Sequence, residues 1–179
     1  VLLVLTGLAG RECKGRIACL AAAGAIGGVP LVAIGITATQ LGYGPLLECL
    51  AAWGMASAGL LSAGLHFQLA YRGAHPARAR GLWAIAAIGL SVGMIYAVLY
   101  GSRAYLPLAW VTLPWMRAVH GSANALGFGL AATVAWLIAM RRVAAPDVVS
   151  SLGKPGSGLE SLHMMIWQPA SHPQFPLRR

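Results

Sequence analysis

The sequence predicts an all-α, polytopic transmembrane helix bundle with four full spans and a truncated N-terminal one. Three observations carry this prediction. Hydrophobic residues fill 58% of the 179 positions and charged residues only 9%, against about 25% charged in an ordinary soluble domain; mean hydropathy is +0.71. The apolar residues gather into runs long enough to cross the hydrocarbon core, which takes about 20 helical residues. Basic residues recur in alternate connections between those runs, as the positive-inside rule requires of a multi-pass chain.

Taken in order, Val1-Leu2-Leu3-Val4-Leu5 is too short for a span and lacks the basic start of a signal peptide. It reads as the end of a span that begins upstream, so the chain is expected to be a fragment. The four full spans run from about Ile17 to Thr39, Leu46 to Tyr71, Leu82 to Tyr100 and Trp115 to Met140. Together they make a transmembrane domain over residues 1–142. Their connections are short and rich in Gly or Pro, which suits adjacent antiparallel helices. The proline in Gly24-Ala25-Ile26-Gly27-Gly28-Val29-Pro30 is expected to kink the first full span. From 143 to 179, a linker-like Lys154-Pro155-Gly156-Ser157-Gly158 and scattered prolines predict a mobile tail.

Loop composition sets an expected orientation. Arg11, Lys14 and Arg16 precede the first full span, Arg72, Arg78 and Arg80 lie between the second and third, and Arg141 and Arg142 follow the fourth. The first of the remaining loops, Leu41–Pro45, has no basic residue, and the other has Arg103. The C-terminus is therefore expected in the cytoplasm. The same placement accounts for the net charge of +9 by topology. No basic helix or aromatic platform points to nucleic acid; the expected partners are the lipid bilayer and other transmembrane helices, from a missing N-terminal part or a second copy. Cys13, Cys19 and Cys49 form no metal-ligand spacing, and neither a metal nor a cofactor is expected.

Helical spacing arranges the polar residues. Arg117, His120, Gly121, Asn124 and Phe128 fall within about a third of the circumference of the last span. Beside them Gly121, Ala125 and Gly129 form a small-residue stripe that lets another helix approach, as do Gly89 and Gly93 on the third span. Glu48, Met55, Gly59, Ser62 and His66 share a face of the second span. Ionisable groups within spans turn toward partners or water-filled space. Arg117, His120, Asn124, Glu48 and Tyr96, with Tyr100, are therefore expected to converge on one outward-facing polar pocket. His66 lies roughly 25 Å below Glu48 at 1.5 Å per residue, an unfavourable geometry for haem shared with His120. No paired carboxylates, Ser/His/Asp set or HExxH suggests catalysis, so the chain is not expected to be an enzyme.

The run Met116-Arg117-Ala118-Val119-His120-Gly121-Ser122-Ala123-Asn124-Ala125-Leu126-Gly127-Phe128 resembles the R-x-x-H-G-x-x-N-A-x-G-F signature of the YndJ-like bacterial membrane proteins. His66-Phe67-Gln68-Leu69-Ala70 resembles that family's H-F-H-Y-A stretch, with Gln68 and Leu69 replacing its second histidine and its tyrosine. The resemblance covers roughly Leu5 to Arg142. It implies a multi-pass protein of the bacterial plasma membrane, a transporter of unknown substrate, here with a pocket around Arg117, His120 and Asn124. Two alternatives stand beside it. One is a redox or cofactor protein using His120 or His66, and the other is a helix-packing assembly module without chemistry.

Overall fold

The computed structural model describes residues 1–13 and 15–143. Of the expected tail, residues 144–179, including the linker-like stretch, lie outside the described residues. The helices are α1 (Leu2–Cys13), α2 (Arg16–Gln40), α3 (Leu46–Tyr71) and α4 (Ala77–Gly101). A long composite helix follows: α5 (Leu113–Ser122), a π-helical segment (Ala123–Leu130) and α6 (Ala131–Val143). There is no strand among the described residues. Arg16–Gln40, Leu46–Tyr71, Ala77–Gly101 and Leu113–Arg141 are each long and apolar enough to cross a membrane.

The helix ends follow from local chemistry. At the end of α2, Gly42 adopts φ +85°. Its N–H donates to the Thr39 carbonyl and that of Tyr43 to the Ala38 carbonyl, the paired bonds of a Schellman cap, which favours glycine at this position. α4 starts at Ala77 rather than near Leu82. Pro76 directly precedes it, and Arg80 Nε donates to the Ala70 carbonyl at 2.8 Å, satisfying an orphan carbonyl at the end of α3. Pro30 does not interrupt α2. It removes only its own donor, from the Ile26 carbonyl.

α3 is the central element, packed against α1, α2 and α4, with its buried residues on one half of its circumference and exposed ones such as Leu50, Trp53, Leu60 and Phe67 on the other. Thr6 Oγ1 and Ser62 Oγ join α1 to it at 2.6 Å. Small residues bring α2 close: a Cβ on Gly24 would lie 2.7 Å from Ala58 Cβ, and one on Gly35 would lie 2.8 Å from Glu48 Cα. Opposite faces are apolar and exposed, as with Ile85, Ile88, Val92 and Ile95 on α4 and Leu126, Leu130 and Leu137 on the last helix. Such continuous apolar surface suits contact with lipid.

The closest approach to a neighbouring backbone joins α4 to the π-helical segment. A Cβ on Gly89 would sit 2.7 Å from Gly127 Cα and 3.0 Å from the Ala123 carbonyl oxygen. Gly89 and Gly93 therefore do the packing their spacing suggests. On the facing helix the expected stripe of Gly121, Ala125 and Gly129 is displaced. Gly121 and Ala125 are exposed, nothing lies within 4 Å of a Cβ on Gly121, and Gly127 and Ala123 face α4 instead. Gly129 is buried, closest to its own helix at the Asn124 carbonyl and to Val1. The reason is that His120 and Asn124 face α4: Ala123 and Gly127 share that side of the helix, whereas Gly121 and Ala125 each stand one residue, about 100°, past it.

Gly89→Ala should therefore destabilise the detergent-solubilised protein by about 1–3 kcal/mol through overpacking. Gly54→Ala, into open space on α3, should be neutral or stabilising by up to about 1 kcal/mol. Thermal unfolding followed by size-exclusion yield measures both, and opposite signs are expected.

Candidate functional site

A cavity of about 610 Å³ opens between α2, α3, α4, α5 and the π-helical segment. It receives all five residues that helical spacing placed on one face of the last span: Arg117, His120, Gly121, Asn124 and Phe128. Glu48 and Tyr100 also line it. Most of its wall is nevertheless apolar, with Val32, Ile36, Met55, Leu90, Met94 and Met116 among the lining residues. The space is an apolar chamber with a polar side, where the sequence suggested a polar pocket. Hydropathy along each helix shows which residues turn inward, but not which of them meet.

Glu48 is buried, with only 6% of its surface exposed, and its partner is Arg103. The guanidinium Nη1 donates to Glu48 Oε1 at 2.7 Å and to the Tyr100 carbonyl at 2.8 Å. The cation also lies 4.0 Å from the centre of the Tyr100 ring. The carboxylate is thus a buried, paired group whose counter-charge comes from the α4–α5 connection. Antiparallel packing of α3 and α4 puts the first turn of one beside the end of the other, and the signal available in the sequence was Arg103 two residues beyond α4.

His120 is held from two sides. Its Nδ1 is 2.8 Å from the Gly93 carbonyl, which can only accept, so Nδ1 carries the proton. Nε2 then accepts from Asn124 Nδ2 at 2.9 Å. The imidazole is thus placed as the neutral Nδ1–H tautomer. Asn124 Oδ1 is buried and has no hydrogen-bond partner, while a Cβ on Gly93 would stand 2.7 Å from it. Glycine at 93 therefore leaves room for the amide and a close carbonyl for the histidine. Arg117, one turn earlier than His120, is exposed along the cavity and makes no salt bridge among the described residues.

One residue expected in the pocket lies elsewhere, and the histidine expected deeper in the bundle lies outside the cavity. Tyr96 is not in the cavity wall; its ring meets Trp110 edge-on, 6.1 Å between centroids. The hydroxyl-bearing ring that reaches the cavity is Tyr100, one turn further along α4. His66 is fully buried below the cavity wall, its Nδ1 2.8 Å from the Ser62 carbonyl. It meets Phe128 edge-on at 5.1 Å, and Phe128 in turn lines the cavity. Among the described residues, no three His, Cys, Asp or Glu side chains gather to hold a metal ion. Helical spacing places Met55 on the inward face of α3 but gives no sign of Met94 or Met116 as wall residues, because an apolar side chain on an inward face looks like core.

Removing Arg103 should cost more than removing Glu48. Arg103→Ala leaves a buried carboxylate unpaired, a loss of roughly 3–5 kcal/mol for a fully buried pair. Glu48→Ala leaves a guanidinium with 34% of its side chain exposed, which water can solvate. Melting curves of the two single variants measure the difference.

A family model described as YndJ-like protein matches residues 1–128. No curated protein and no solved structure matches the chain.

Proposed function

From the YndJ-like family, to which the chain belongs over residues 1–128, and from the cavity, we propose a membrane-embedded binding protein that acts as a transporter. Arg117 attracts an anionic group of the substrate, His120 carries a proton, and Asn124 holds the imidazole in either charge state. The chain performs no covalent chemistry on what it carries. With the basic connections and the C-terminus in the cytoplasm, the cavity faces outward.

The observation that carries this reading is the charge balance around the cavity. Glu48 is neutralised by Arg103 at 2.7 Å, and His120 is bonded as a neutral ring. Arg117 is the charged group left without an ion pair among the described residues that line the space. An unpaired cation beside an apolar space in a membrane favours an anion.

The proton role rests on the amide beside the ring. A proton added at His120 Nε2 would face the Asn124 NH2 donor-to-donor. A half-turn of the amide exchanges its nitrogen for Oδ1, which then accepts from the imidazolium. Oδ1 has no bond to lose in that turn. Histidine changes charge near neutral pH, so a single local rearrangement accompanies proton uptake.

The test uses proteoliposomes containing a luminal pH dye and an added permanent anion, butanesulfonate. Wild-type protein should acidify the lumen as the anion enters. The Arg117→Gln/His120→Ala double variant should fall to the rate of protein-free vesicles. Equal rates for the two proteins would remove the proposal.

A further inference from the structure

We propose that the cavity binds a single-chain anionic amphiphile drawn from the surrounding bilayer, its head at Arg117 and its chain along the apolar wall. This inference rests on the anion-binding reading above and adds the substrate class.

Three observations point to an amphiphile. The first is the mismatch between charge and lining. A small hydrated anion would meet its counter-charge at Arg117 and leave the rest of a 610 Å³ space to water held against Val32, Ile36, Leu90 and Phe128. Water in an apolar cavity lacks the two to four polar partners that hold it. An alkyl chain fills the same space and removes apolar surface from water. The volume lies in the usual range for one small ligand, about 300–1,000 Å³, which accommodates one chain rather than a two-chain phospholipid.

The second observation is the position of the polar groups. Arg117 lies in the second turn of α5, close to the α4–α5 connection, and Trp110 and Trp115 there are more than half exposed. Tryptophan and arginine at a span end mark the headgroup level. The cavity then runs from that level toward Met94 and Phe128, so head and tail of a bound amphiphile stay at the depths they occupy in the bilayer.

The third observation is the character of the wall. Met55, Met94 and Met116 contribute from three different helices. Unbranched, polarizable thioethers repack around chains of different length and bend. A wall of this kind selects for apolar character and charge rather than for one rigid shape. His120 and Asn124 stand one and two turns further into the membrane than Arg117, beside the first part of the chain.

Binding is measured on the intact protein in a neutral maltoside detergent, by thermal shift and by isothermal titration with n-alkylsulfonates from methane- to dodecanesulfonate. Octan-1-ol and inorganic phosphate serve as the neutral and chainless controls. Affinity is expected to rise with chain length, by at most about fourfold per methylene, and to level off once the cavity is filled. Arg117→Gln should weaken octanesulfonate at least tenfold without affecting octan-1-ol. Ala97→Phe, which fills part of the wall, should flatten the chain-length dependence and leave the Arg117-dependent response to methanesulfonate in place.

Equal affinity for phosphate, methanesulfonate and octanesulfonate, still dependent on Arg117, would overturn the amphiphile and preserve the anion site. Equal binding of octan-1-ol and octanesulfonate would overturn the charged-head assignment. If no anion depended on Arg117, the amphiphile and the anion-binding reading would both fall.

Discussion

The arrangement of this bundle depends on the backbone contact between Gly89 on α4 and Gly127 in the π-helical segment. With no side chain on either, the two helices come close enough that a Cβ on Gly89 would lie 2.7 Å from Gly127 Cα. Helices in lipid gain little from excluding water from one another, so close packing and interhelical hydrogen bonds hold them together. One turn along α4 from this contact, Gly93 presents its carbonyl to His120 and its open side to Asn124. A side chain at either glycine would push the last helix away and separate the histidine from its acceptor. Packing and polar chemistry are therefore set by the same pair of helix faces.

Low dielectric surroundings explain how the polar groups are handled. A charge inside a bundle must be paired, bonded or brought to an edge, and each solution appears once. Glu48 is paired with Arg103, at the end of the bundle where α3 begins and α4 ends. His120 engages both ring nitrogens in hydrogen bonds. Arg117 is exposed near the start of α5. The cavity inherits the remainder, one cation and a neutral hydrogen-bonded pair set in a wall of aliphatic and thioether side chains.

The π-helical segment carries part of that wall. Such segments occur often at functional sites, and here one begins between His120 and Asn124. Phe128, within it, lines the cavity and meets His66 edge-on, linking the upper cavity to the buried histidine of α3. Its helix-facing small residues are Ala123 and Gly127 rather than Ala125. A motif that reads as a single stripe in the sequence therefore contributes to two surfaces.

Much of this was legible in the sequence. Composition and apolar run length determined an all-helical protein with four helices able to cross a membrane. The Arg117–Phe128 motif also identified its family and the inward face of the last helix. These properties are local, resting on hydropathy and on a period of 3.6 residues. Tertiary structure decided the rest. Arg103 rather than Arg117 neutralises Glu48, because partner choice depends on which helix ends are adjacent. Tyr100 rather than Tyr96 reaches the cavity, because Trp110 folds back onto the earlier ring. Gly127 rather than Gly121 meets α4, because the packing turns the side of His120 and Asn124 toward Gly89 and Gly93. Each of these is a distance between elements far apart in the chain, and it exists only once the helices have packed.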